Sequence, residues 1–249
     1  MKLPDLQDYN YELSEDRIAK FPVQPRDSSK ILIATDNNLQ QDYFYNIAEY
    51  LPPDGLLILN NTKVVPARIM VKKETGAWIE FLLNEPINTD SIPLALQDKG
   101  TSVWQCMIGN AKKLKNSHHL SYYFTKNNQN IYLNIDIEWR PNNENIVTFS
   151  WQPSDYTLSE ILELIGEMPI PPYIKRKAVE EDKIYYQPVF AKVNGSVASP
   201  TASLHFTDRV FASLDAKNYK KAFITLHVGA GTFKPVKTSI ADHQMHREE

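Results

Sequence analysis

The sequence predicts an α/β main domain interrupted by a small all-β module, read as an inserted β-barrel. Short apolar runs alternate with a helical pattern over residues 1–69. Five strand-like segments with polar connectors fill residues 70–152. A mixed helix-and-strand pattern returns over 153–249.

In the first segment, Ile31, Leu32 and Ile33 make a short strand. Phe44, Ile47, Ala48 and Leu51 recur at i, i+3, i+4 and i+7, one face of a helix. Pro52-Pro53-Asp54-Gly55 stops that helix and turns the chain. LLIL (56–59) is a continuous apolar run, as expected of a strand buried on both faces. The polar NNTK (60–63) follows it, at the kind of strand end where α/β folds place ligands. Asn60 and Asn61 equally suit a plain turn, and the segment alone favours the turn.

In the middle segment, WIEFLL (78–83), VWQCMI (103–108), HLSYYF (119–124), IYLNIDIEW (131–139) and IVTFSW (146–151) read as strands. Ile131, Leu133, Ile135 and Ile137 alternate with polar residues, so one sheet face is wet. In the last segment, Thr157 and Glu160 have capping-box spacing ahead of LSEILELI, with Tyr156 and Ile161 placed as a hydrophobic staple. Thr207 is placed to cap a helix over 208–218, and AFITLHV (222–228) reads as a strand.

The 249 residues carry a net charge of -3, so any contact with a polyanion must be local. Cys106 is the single cysteine, which excludes an intrachain disulfide and fits a reducing cytoplasm. The acidic N-terminus has no apolar signal-peptide core, and no apolar run is long enough to span a bilayer. The chain is expected to be soluble and cytoplasmic, with no membrane contact. Oligomeric state is not encoded in any pattern found.

Chemistry concentrates late in the chain. LHVGAGTFKPV (226–236) sets His227 beside Gly229 and Gly231 at a strand end. Position 234 is Lys, so the third glycine of a dinucleotide-binding loop is missing. The glycines instead allow close backbone approach. SVASPTASLHFT (196–207) brings His205 to a second strand-to-helix junction. Histidines at two successive strand ends can face one cleft and carry protons near neutral pH. They can also be satisfied side chains beside two separate helix caps, and on the residues alone both readings stand. His243 and His246 lack zincin spacing, so no metal site is predicted. MPIPPYIKR (168–176) is a proline-stiffened arm presenting Tyr173, Lys175 and Arg176, suited to stacking and phosphate contact. GNAKKLK (109–115) adds Lys112, Lys113 and Lys115.

Seven stretches, in this order, resemble one family. They are LNNTKVVPARI (59–69), GNAKKLK, GEMPIPPYIKR (166–176), YQPVFA (186–191), GSVASPTASLHFT (195–207), LHVGAGTFKPV and HQMHRE (243–248). The family is that of the S-adenosylmethionine:tRNA ribosyltransferase-isomerases of queuosine biosynthesis. The resemblance implies a barrel-like α/β main domain, formed by 1–69 and 153–249, with a β-barrel inserted at 70–152. It implies transfer and isomerisation of the ribosyl moiety of S-adenosylmethionine onto a 7-aminomethyl-7-deazaguanine wobble base. Adenine and methionine leave, and the product is epoxyqueuosine in tRNA.

S-adenosylmethionine is then a substrate, no prosthetic group is needed, and the tRNA anticodon stem-loop is the partner. His205 and His227 become the expected proton carriers. Asn60, Thr62, Arg68, Tyr173, Pro200, Thr201, Gly229, Gly231, Thr232, His243, His246 and Glu248 are the expected substrate-binding residues. Lys112, Lys113, Lys115, Lys175 and Arg176 are expected to grip tRNA.

The sequence departs from the family pattern at Asn61, Lys63, Ser199, Ser203 and Arg247, which stand where Asp, Arg, Ala, Gly and Ser are usual. The pattern also continues past position 249 in the family. Two expectations follow: part or all of an active ribosyltransferase-isomerase, or a divergent paralogue that binds tRNA or S-adenosylmethionine without catalysis.

Overall fold

A computed structural model describes residues 5–36, 38–114, 118–126, 128–233, 236, 239–240 and 242. The described strands begin with an antiparallel hairpin, β1 (Lys30–Thr35) and β2 (Asn38–Tyr43). A 3₁₀ turn at Phe44–Asn46 runs into the short helix α1 (Ile47–Tyr50), where the helical periodicity predicted it. β3 (Leu56–Asn60) and β4 (Thr62–Val64) follow, almost continuous with each other.

The antiparallel module is a seven-stranded sheet. It holds β5 (Arg68–Lys72), β6 (Trp78–Pro86), β7 (Thr101–Gly109), β8 (His119–Lys126), β9 (Gln129–Glu138), β10 (Asn145–Gln152) and β11 (Gly166–Glu167). Their order is β11-β5-β6-β7-β10-β9-β8. A one-turn helix, α2 (Ile92–Ala95), connects β6 to β7. The alternation read in β9 is realised: Ile131, Leu133, Ile135 and Ile137 are buried while their neighbours face solvent. Phe81 and Phe149 meet edge-on at 6.0 Å in the core. Each such buried ring contributes roughly 1.5–3 kcal/mol through burial.

The helix α3 (Leu158–Ile165) starts with the predicted capping box. The Thr157 hydroxyl accepts from the Glu160 amide, and Glu160 accepts from the Thr157 amide at 2.7 Å. Tyr156 packs against the same apolar core that buries Ile161. That core runs on past the β module. Val65, Leu158, Leu162, Val197 and Ala230 join it.

Two short parallel ladders complete the frame, after the one-turn helix α4 (Asp182–Tyr185). β12 (Val193–Ser196) pairs with β4, and β13 (Lys220–Ile224) pairs with β3. Between them lies the helix α5 (Asp208–Asp215), capped by Thr207 as predicted. It packs Val210 and Leu214 against Phe44 and Ala48 in a second, smaller core.

Two strand expectations need correction. LLIL is not buried on both faces, since Leu56 is 59% and Ile58 61% exposed. Among the described residues no layer covers the face that carries Leu56 and Ile58, so that apolar face stays open. The last strand ends at Ile224 rather than at Val228. Past that point the Asn60 side chain takes over from a strand partner, donating to the Leu226 carbonyl at 2.8 Å and accepting from its amide at 3.1 Å.

Candidate active site at the strand ends

The site begins where β3 gives way to β4. Asn60 is not a plain turn residue: its amide grips Leu226 and also accepts from the Thr62 backbone at 3.1 Å. Asn61 reinforces the junction. Its backbone amide donates to the Ile224 carbonyl, and its side-chain oxygen accepts from the Thr225 hydroxyl at 2.7 Å. Gln187 uses the same device on β4, bonding both the amide and the carbonyl of Val64. Two side-chain amides thus substitute for backbone partners where the parallel ladders stop.

These clamps fix His227. Its ring is 8% exposed, and its Nδ1 lies 2.7 Å from the hydroxyl of Thr62, which is fully buried. Burial pushes the imidazole's pKa below its usual value, so the neutral ring is favoured. The ring rests on Gly195, where a Cβ would lie only 2.5 Å from its Cε1. Glycine here is required by close approach. Val228 then bonds back to the next strand, its amide donating to the Ser196 hydroxyl at 2.7 Å. Gly229 accepts from the Thr232 amide at the head of a 3₁₀ turn, Ala230–Phe233, within which Gly231 is buried.

His205 has different surroundings. It is half-buried, packs tilted against Phe44 with ring centroids 5.5 Å apart, and lines a cavity of about 200 Å³. That cavity is walled by Phe21, Tyr173, Tyr185, Tyr186 and Thr201. A second cavity, of about 140 Å³, is lined by Pro169, Pro171, Tyr173, Tyr186, Ser199, Thr201 and Thr232, among others. Tyr173, Tyr186 and Thr201 belong to both, so the two cavities share a wall. Pro200 sits in that wall's backbone, its carbonyl accepting from the Ser203 hydroxyl. The buried Ser199 hydroxyl has no hydrogen-bond partner among the described residues. An orphan hydroxyl in a cavity wall is a ready contact for a ligand. His227 lines neither cavity.

Other expected residues divide by their partners. Arg68 ties β5 to the proline arm, donating to the Ile170 carbonyl and facing Glu80 at 2.9 Å. Lys175 pairs with Glu15 at the surface. Arg176 forms a two-pronged bond with the fully buried Asp182, each contact 2.7 Å, and donates also to the carbonyls of Lys20 and Lys177. Its plane lies over Phe21. Four of its N–H groups are therefore spent inside the protein, and its observed role is to anchor the arm rather than to offer a free fork to phosphate. Lys112 and Lys113 line a separate broad groove with Trp139 and Arg140. Lys115, His243, His246 and Glu248 lie outside the described residues.

Sequence reasoning missed Tyr186 and the segment from Ala19 to Arg26, which walls the first cavity. The sequence KFPVQPR, two prolines between cations, was the available signal.

The frame is mixed α/β, with an antiparallel sheet, two parallel ladders, a buried His227 beside Thr62, and two cavities that share Tyr173, Tyr186 and Thr201. The family model described as "Queuosine biosynthesis protein" matches residues 6–249, and the chain belongs to that family. A relative from Sulfurihydrogenibium sp. is 40% identical, covering 98% of this chain and 67% of its own length. One from Fusobacterium nucleatum is 38% identical, covering 98% and 64%. Both are named S-adenosylmethionine:tRNA ribosyltransferase-isomerase, so the chain spans about two thirds of the length of these relatives. A solved structure of an S-adenosylmethionine tRNA ribosyltransferase from Thermotoga maritima is 24% identical over 89% of this chain and 58% of that one. The TM-score between the two is 0.32.

Proposed function

We propose that the chain carries out ribosyl transfer and isomerisation from S-adenosylmethionine to the 7-aminomethyl-7-deazaguanine wobble base of tRNA, releasing adenine and methionine. The observation that carries this reading is identity of 34–40% over 98% of the chain to relatives bearing that enzyme name. The reaction yields epoxyqueuosine, uses S-adenosylmethionine as a substrate, and needs no prosthetic group. The enzyme works in the cytoplasm on the anticodon stem-loop.

The chemistry asks for three things. A base must take a proton from the carbon beside the sulfonium, an acid must assist adenine's departure, and water must be kept out. His227 is neutral and buried against Thr62, and because it lines neither cavity its role as proton acceptor requires the bound substrate to reach its ring. His205, in an aromatic wall, is suited to donate a proton. The cavity lined by Ser199, Thr201 and Thr232 takes the sulfonium nucleoside, with the Ser199 hydroxyl and the backbone at Gly229 and Gly231 as polar contacts. Arg68 holds the arm that carries Tyr173, the stacking platform. Residues 70–152 act as an inserted β-barrel module, and Lys112 and Lys113 in its groove meet the RNA backbone.

The test is adenine release from S-adenosylmethionine in the presence of tRNA carrying the aminomethyl-deazaguanine. Release that requires both substrates supports the reading. No release, with both substrates demonstrably bound, supports a binding paralogue instead.

A further inference from the structure

The first cavity has an imbalance of charge. Its lining includes two cations, Lys20 and Arg26, and no carboxylate. Arg26 donates to three backbone carbonyls, those of Gln187, Leu204 and Ile184, at 2.8–3.2 Å. No ion pair of Arg26 occurs among the described residues. Its neighbours differ. Arg176 has the buried Asp182 and Arg209 has the buried Asp27. Lys20 donates to the Ile174 carbonyl at 2.9 Å, and Glu15, the acid near it, is paired with Lys175.

Burial weighs against the charged form of Arg26, yet a guanidinium stays protonated in proteins. A half-buried cation without a counter-charge is held at a cost unless a ligand supplies the anion. The rest of the wall is aromatic: Phe21, Tyr173, Tyr185 and Tyr186, with His205 beside them. Aromatic faces with adjacent cations are the arrangement that holds a base and its phosphate in single-stranded RNA.

We propose that this cavity binds one nucleotide of an RNA, its base against the tyrosines and its phosphate on Lys20 and Arg26. The proposal rests on the reading that the chain acts on tRNA, and it names a subsite for that RNA. The amino-acid end of S-adenosylmethionine offers one carboxylate to these cations but brings two positive groups with it, so it fits less well. Its ammonium and sulfonium would meet two cations and no carboxylate.

The test compares the wild type with Lys20→Gln, which keeps a donor for Ile174 but loses the charge, and with Lys20→Arg, which keeps the charge. Binding is measured for an anticodon stem-loop RNA over a series of salt concentrations, and for S-adenosylmethionine, guanosine and guanosine 5′-monophosphate by calorimetry. Lys20→Gln should reduce the salt slope of RNA binding by about 0.7–0.9, one phosphate contact, and Lys20→Arg should restore it. The monophosphate should bind the wild type more tightly than guanosine does, and Lys20→Gln should erase that difference. Affinity for S-adenosylmethionine should not change.

An unchanged RNA slope in a Lys20→Gln protein with unchanged melting overturns the proposal. So does loss of S-adenosylmethionine binding with RNA binding intact, which would place the amino-acid carboxylate here. Nucleotide binding that depends on Lys20 without any adenine release would keep this cavity and remove the ribosyl-transfer reading. Adenine release without dependence on Lys20 would do the reverse.

Discussion

The hydroxyl of Thr62 lies 2.7 Å from Nδ1 of His227, and both side chains are buried. This contact joins the β3–β4 junction to the segment after β13, two places 165 residues apart. Replacing Thr62 by Val keeps the shape and removes the partner. The stranded ring nitrogen should cost about 1–3 kcal/mol of stability, read from the urea midpoint. Turnover should fall with it, and a variant as stable and active as the wild type would show that the bond positions nothing.

The lowered pKa of His227 has a pH consequence. The unfolded chain protonates this ring near its usual pKa of about 6.5, whereas the folded chain resists protonation until lower pH. Between those values the unfolded state binds more protons, so stability rises with pH. Melting temperature should therefore drop as pH falls from 7 through the region below 6.5, and His227→Gln should flatten that part of the profile. An unaltered profile would mean that some other group sets it.

Gly195→Ala should be poorly tolerated for a reason of space. The added methyl would sit 2.5 Å from the His227 ring. The ring must move, so turnover should fall at least as far as in Thr62→Val while the secondary structure seen by circular dichroism remains. Normal turnover would show that the ring's position is not critical.

Arg176→Ala strands the Asp182 carboxylate, which is fully buried. Loss of about 3–5 kcal/mol is expected from denaturant unfolding. The salt slope of RNA binding should hardly change in the double variant Arg176→Gln/Asp182→Asn, which removes both charges of the buried pair together. A slope reduced as much as by losing a surface lysine would restore the phosphate role expected from the sequence. Lys112→Ala with Lys113→Ala is the contrasting case, and should lower the slope by about 1.4–1.8 for two contacts.

Local features were readable in the sequence because they are encoded locally. The alternation of Ile131 to Ile137 set the wet and dry faces of β9, and Thr157 with Glu160 marked the start of α3. What failed was non-local. An apolar run such as LLIL says that burial is favourable, not whether a second layer will pack on each of its faces. The role of Arg176 depends on Asp182 and on Lys20, the latter 156 residues away, and its charge alone suggested a free surface cation. The first cavity needs Arg26 beside Leu204, a separation of 178 residues that no spacing rule reaches. His205 follows the 3₁₀ turn Thr201–Ser203 rather than a strand end, His227 lies just past β13, and their different neighbours, a ring-lined cavity and a buried threonine, come only from the tertiary fold.

We propose that this chain turns over S-adenosylmethionine with His205 and His227 as its proton carriers. The decisive measurement is the adenine released when this protein meets S-adenosylmethionine and tRNA bearing the aminomethyl-deazaguanine. The expected result is release that requires that tRNA and falls sharply in His227→Ala and in His205→Ala while both variants stay folded. Wild-type release in either variant would remove that histidine from the chemistry, and no release from a folded wild type that binds both substrates would contradict the account.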